Sequence, residues 1–288
     1  MNTEIQRMLS KYPLVSPSSS KDALKEIIQE ITLLALSRTD FFAHAAFYGG
    51  TALRIFHGLD RFSEDMDFSL QSKNPNFMLA KYLPTIEKEL ESYGFSLEAR
   101  VKPEQHNSAV QSAFLKENTL VHMVEILSLS PPVAGVPSNE LIKIKIEIDT
   151  NPPEGATFEQ KFKLLPQPYA VLLYDKSSLF AGKLHALLCR NWRHREKGRD
   201  FYDYIWYLSE GIPVNIEHLE ACMRQSGHWS EAGQLQIRTV QELLLQRFEK
   251  LDFQQVKRDV MPFIAKPASL DIWSREFFSA ITLEQLKR

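Results

Sequence analysis

The chain has 288 residues, 44% hydrophobic and 24% charged, with a formal charge of −2. These proportions belong to a soluble globular protein long enough to bury a real core. The near-balanced charge removes any global electrostatic case for nucleic-acid binding, so such binding must come from a local patch. No apolar run reaches the about 18 residues of a membrane span, and no membrane partner is expected. The opening MNTEIQRMLSKYPLVSPSSSKD lacks the apolar core of a signal peptide. Cys189 and Cys222 stand at no metal-ligand spacing, so a reduced, cytoplasmic setting is expected.

Residues 1–20 read as a polar lead-in ending in Ser-Pro-Ser-Ser-Ser. The apolar periodicity of LKEIIQEITLLALS predicts a helix over 21–37, with Ser20 as N-cap. A sheet should begin near Ala45, with Phe47 and Tyr48 ending a strand. Gly49 and Gly50 then allow a tight turn, and 51–56 read as the first turns of a helix. Residues 65–70 alternate as a strand. A helix over 76–93 should stop at Gly94, followed by strands over 95–101, 121–129 and 141–149. After Pro166 the pattern turns mainly helical, over 177–190, 199–208, 216–225, 230–250 and a tail. The fold class is therefore α+β. Residues 21–165 would form a sheet-bearing part, and 166–288 a helical part that closes over it.

The most informative segment is FYGGTALRIFHGLDRFSEDMDFSL, residues 47–70. A helix N-terminus after a glycine turn offers free N–H groups to phosphate, which makes Gly49, Gly50 and Thr51 candidate nucleotide contacts. Asp65 and Asp67 lie two apart on a strand and so share a face. Two carboxylates on one face call for a hard divalent cation between them. A phosphate-binding turn beside such a pair suits nucleotidyl transfer. In LIKIKIEID the isoleucines face a core, while Lys143, Lys145, Glu147 and Asp149 face away. That charged face is either solvated, on an edge strand, or part of the site. Lys145 would then contact a phosphate or neutralise the carboxylates.

Further on, Lys183 and Arg190 share one helical face, and Asp200 and Asp203 another. A lysine facing a metal pair suits phosphoryl transfer, and a salt-bridge network joining two helices would look the same. Between them lies NWRHREKGR. Its Arg190, Arg193, Arg195, Lys197 and Arg199, with Trp192, His194 and the nearby His185, form either an RNA-binding patch or a solvated loop. Arg54 and Arg61 are further candidate phosphate contacts, Arg61 otherwise pairing with Asp65 or Glu64. Ser63 and Ser69 have no base partner that would make a nucleophile. No Gly-x-x-x-x-Gly-Lys-Ser/Thr motif occurs, which argues against a P-loop NTPase.

The order Gly-Gly-Thr, helix, Asp-x-Asp resembles the nucleotidyltransferase superfamily that includes DNA polymerase beta. GGTALR…GLDRFSEDMDFSL, Lys183-Leu184-His185-Ala186 and Arg199-Asp200-Phe201-Tyr202-Asp203 more closely resemble the AbiEii-like proteins, many of them toxins of bacterial toxin–antitoxin pairs. The superfamily usually has Gly-Ser at the turn, where this chain has Gly50-Thr51. The resemblance spans about 46–208. It implies a mixed nucleotidyltransferase-type sheet with flanking helices. It implies Mg²⁺ or Mn²⁺ on Asp65 and Asp67, with a third carboxylate from a neighbouring strand, Glu147 first and Asp149 second. Lys183 would contact the phosphates of an NTP substrate, and Asp200 or Asp203 would orient it or assist the chemistry. The acceptor would be a hydroxyl, of an RNA such as tRNA, and a cognate antitoxin would be a partner. The alternatives are nucleotidyl or phosphoryl transfer to a protein, and a non-catalytic nucleotide-binding module.

Overall fold

A computed structural model describes residues 3–12, 17–98, 119–129, 142–190, 196–264 and 266–286. Helices α1 (Thr3–Leu9) and α2 (Pro17–Ser37) precede strand β1 (Ala45–Tyr48), helix α3 (Gly49–His57) and strand β2 (Met66–Leu70). Helix α4 (Leu83–Ser92) leads into β3 (Phe95–Glu98), β4 (Thr119–Leu129), β5 (Ile142–Asp149), β6 (Phe158–Lys163) and β7 (Tyr169–Tyr174). The helices α5 (Lys176–Cys189), α6 (Gly198–Ser209), α7 (Ile216–Gln225), α8 (Ile237–Glu249), α9 (Phe253–Val260) and α10 (Arg275–Gln285) follow. The strands form one mixed sheet in the order β3-β4-β5-β2-β1-β7-β6. β2 runs antiparallel to β1 and parallel to β5, and β1 runs parallel to β7.

Alternation along β5 decides which face of the sheet is dry. Ile142, Ile144, Ile146 and Ile148 are fully buried, each burial contributing about 1.5–3 kcal/mol. They join Phe47, Phe68 and the apolar residues of α2 in one core. The opposite face meets the C-terminal helices. Ala46 of β1 and Tyr174 of β7 belong to a second core built from α5, α6, α8 and α10. Among the described residues no helix is long and apolar enough to cross a membrane.

The structure departs from the sequence reading at several elements. The 1–20 lead-in contains α1, and α2 begins at Pro17, so Ser20 is a buried residue inside the helix and not its N-cap. Proline suits a first helical position, where its missing N–H is unpaired anyway. The 76–93 helix is a short 3-10 turn at Leu79–Lys81 followed by α4, which carries Pro84 in its first turn. Gly94, at φ +89°, ends this segment as expected. Only 95–98 of the expected 95–101 strand is described, and Leu141 also falls outside the described residues. β5 is interior, paired with β2 and β4, and is not an edge strand. β6 and β7 are strands that were not expected. The apolar run of β7 lies beyond residue 165, so the sheet continues past the expected boundary. Helix α8 starts at Ile237 and not Ser230, because α7 holds the intervening chain: Arg224 donates to the carbonyls of Glu231 and Gly233, and Glu220 accepts from the Leu235 N–H.

Candidate active site

Strand β1 delivers the chain into the Gly49-Gly50 turn. Gly49 has φ +81°, and a methyl group there would collide with the Asp67 carboxylate. A methyl on Gly50 would lie 2.8 Å from an Arg61 guanidinium nitrogen and 3.0 Å from Ser63 Oγ. The turn is thus glycine because charged groups of the site press against it. Thr51 is fully buried and its hydroxyl donates to the Asp65 carbonyl. That contact makes Thr51 a brace for the residue preceding β2.

Register builds the acidic row. Asp67 of β2 stands opposite Tyr48 on one side and Glu147 on the other. Asp149 pairs instead with Ser69, is buried, and accepts from the Asn151 N–H at 2.9 Å. Glu147, not Asp149, is therefore the residue beside Asp67, and it is ion-paired with Lys145. Burial pushes the Asp67 carboxyl up to about 7, with the charges of Glu147 and Asp65 adding to the effect and Arg190 and Lys183 opposing it. Asp65 is raised by burial and by Glu147, against Lys145 and Arg199. Negative charge is thus concentrated where hard oxygen donors to a divalent cation would be wanted. Among the described residues no three such side chains converge into a closed ligand set.

The basic side of the site comes from α5. Lys183 Nζ lies 2.6 Å from Asp200 Oδ1 and 2.7 Å from Asp203 Oδ2, so the Lys–Asp–Asp group read from the sequence does assemble. Burial raises the Asp200 carboxyl, but Lys183 and Arg190 more than offset this and hold it well below the usual range. Arg190 donates to the second oxygen of Asp200 at 3.1 Å.

Two arginines differ from expectation. Arg61 does not pair with Asp65 or Glu64. It makes a buried two-pronged bond to Asp203, 2.6 Å at each oxygen. Sequence spacing gave no signal for this pair, since 142 residues separate its members. Arg54 bonds Glu26 at 2.8 Å and the Leu59 carbonyl at 3.0 Å, and its guanidinium lies over the Phe62 ring. Glu64 pairs with Lys25 at 2.8 Å, and Gln29, also missed, donates to the carbonyls of Ser63 and Glu64. Arg193, Arg195, Trp192 and His194 of the basic loop lie outside the described residues. His185 turns inward, with Nε2 2.9 Å from Ser226 Oγ, and burial lowers its pKa to about 4. Arg199 stacks 4.2 Å over the Phe263 ring and reaches Glu64 at 3.8 Å.

No curated protein matches the chain. Among solved structures, JHP933 from Helicobacter pylori is 18% identical, covering 92% of this chain and 88% of its own, with a TM-score of 0.48. The nucleotidyltransferase toxin MenT4 from Mycobacterium tuberculosis is 16% identical, covering 98% of this chain and 86% of its own, also with a TM-score of 0.48. The family described as "Nucleotidyl transferase AbiEii toxin, Type IV TA system" matches residues 31–276, from α2 into α10. That span includes the Gly49-Gly50 turn, all three carboxylates of the acidic row and Lys183, and the chain belongs to the AbiEii family of nucleotidyltransferase toxins.

Proposed function

We propose that this nucleotidyltransferase moves the nucleoside monophosphate of an NTP onto a hydroxyl of RNA, with tRNA as the first acceptor class to test, in a reaction that needs Mg²⁺ or Mn²⁺. The observation that carries the proposal is the placement of Asp67. It stands opposite Glu147 and two residues along the chain from Asp65, against the Gly49-Gly50 turn, with Lys183 and Arg190 opposing it electrostatically.

In this reading the triphosphate lies along the glycine turn, where the N-terminal N–H groups of α3 face it. Asp65 and Asp67 would hold the divalent ion, with Glu147 the neighbouring carboxylate that would join them, and the ion would neutralise triphosphate charge and align the reacting oxygens. Lys183 takes up negative charge that grows on the phosphates as pyrophosphate departs. The acceptor oxygen bonds to the α-phosphorus, the bond from that phosphorus to the bridging oxygen breaks, and the acceptor proton passes to a carboxylate or to water. Asp200 orients Lys183, and Asp203 is the second carboxylate that meets it. Lys145, paired with Glu147, balances the acidic row until substrate arrives. The domain boundary that fits this geometry lies near Asp175, the N-cap of α5, so that residues 176–288 form the helical part that supplies Lys183. A cognate antitoxin is the proposed protein partner, as the type IV toxin–antitoxin setting of the family suggests.

The test is incubation of the protein with Mg²⁺, total bacterial RNA and each NTP labelled at either the α- or the γ-phosphate. Label from the α position entering an RNA band, with γ label released as pyrophosphate, is the expected result. Label from the γ position in the product would make the protein a kinase. Label from the α position in protein alone would replace RNA by a protein acceptor.

A further inference from the structure

We propose that Arg61 is a positioning residue for nucleotidyl transfer: it neutralises Asp203 from behind, which keeps the charge of Lys183 available to the triphosphate. This inference rests on the reading of Lys183 as the phosphate contact.

Both oxygens of Asp203 accept from the fork of Arg61, and the whole pair is buried. One of those oxygens also meets Lys183. Asp200 is held on its two sides by Lys183 and Arg190. The cluster therefore sets the three cations Arg61, Lys183 and Arg190 against the two carboxylates Asp200 and Asp203. Among these five groups Arg61 and Arg190 offset the two acids and the charge left over is that of Lys183, while Lys197 also acts on Asp200 and adds to the positive side. Without Arg61, Lys183 is the one cation left bonded to Asp203 among the described residues, and the surplus of the five groups disappears.

Position supports the same role. Arg61 packs so closely on the glycine turn that a methyl on Gly50 would lie 2.8 Å from it. Its segment is fixed on several sides. Asp60 accepts from the Tyr202 hydroxyl at 2.6 Å, and the Phe62 N–H donates to the Phe263 carbonyl at 3.2 Å. Gln29 donates to the carbonyls of Ser63 and Glu64 at 3.1 and 2.9 Å. Arg61 thus links the turn that would hold the triphosphate to α6, whose Asp203 meets Lys183 of α5, through a bond whose two prongs fix angle as well as distance.

The experiment measures binding of inorganic tripolyphosphate by calorimetry, without divalent ions, below the melting temperature of each variant. Arg61→Met and Asp203→Asn break the same bond, so a merely structural role moves both in one direction. The charge count predicts opposite directions: Arg61→Met weakens binding about tenfold, and Asp203→Asn tightens it or leaves it at the wild-type value. Should Arg61→Met not fold, the apolar pair Arg61→Met/Asp203→Leu restores the surplus and should bind like wild type. Weaker binding by folded Asp203→Asn overturns the inference. Binding equal in all variants also overturns it, but leaves nucleotidyl transfer standing if α-labelled NTP is still incorporated. A wild-type protein that ignores tripolyphosphate overturns both this inference and the assignment of Lys183.

Discussion

Asp67 is costly to keep ionised. Burial comes first, then the charges of Glu147 and Asp65, and together they push its carboxyl to about 7 from an ordinary 3.8. The folded protein therefore holds that proton more tightly than the unfolded chain does. Stability from this group is fully present below about pH 4 and is lost as pH rises towards 7. Asp67→Asn removes the penalty. Without divalent ions the variant should be more stable than wild type by about 1–2 kcal/mol at pH 8 and equal to it at pH 4. Urea unfolding at the two pH values checks this, and a variant less stable at both would show that the carboxylate is a structural anchor. Glu147 and Asp149 separate by substitution as well. Glu147→Gln should cut transfer at least tenfold, whereas Asp149→Asn should leave turnover within about threefold, because Asp149 already serves the Asn151 N–H. Equal losses in a transfer assay would return both residues to the candidate set. Sequence alone left these two acids open, because the choice depends on the register between β2 and β5, which brings together residues about eighty positions apart.

At the scale of elements, the turn from β1 into α3 is the part most completely legible in the sequence. Consecutive glycines after a short apolar strand demand a tight approach, and the structure supplies both the positive φ and the nearby carboxylate. Gly49→Ala should therefore cost about 1–3 kcal/mol and abolish transfer, since it displaces Asp67. Gly58 provides the control. It has φ +80° but open space around its added methyl, so Gly58→Ala should cost about 1 kcal/mol and spare activity. Thermal unfolding with a parallel transfer assay distinguishes the two, and a fully active Gly49→Ala would remove the turn from the site. Strand β7 shows where local pattern stops informing. YAVLLY is too short for its periodicity to tell strand from buried helix, and its pairing comes from distant β1 on one side and from the preceding strand β6 on the other. Residues 230–236 failed in the other direction: their helical periodicity runs into α8, but α7 captures the backbone first.

For the whole molecule, the central feature is that two separately packed cores meet across the polar face of the sheet. The N-terminal core sets the spacing of Asp65, Asp67 and Glu147, and the helical core brings in Lys183. The Lys-Leu-x-Ala and Arg-Asp-x-x-Asp spacings showed which residues share a helical face. They did not show that Arg61, from the other half of the chain, would share Asp203 with Lys183. Long-range charge networks of this kind have no local signature. The most direct measurement is a calorimetric titration of Mn²⁺ into the protein with a non-hydrolysable NTP analogue, compared with Asp65→Ala/Asp67→Ala. Wild type should bind the ion in a nucleotide-dependent manner, and the folded double variant should bind none. Equal Mn²⁺ binding by both proteins would contradict the assignment of the acidic row as the centre of nucleotidyl transfer.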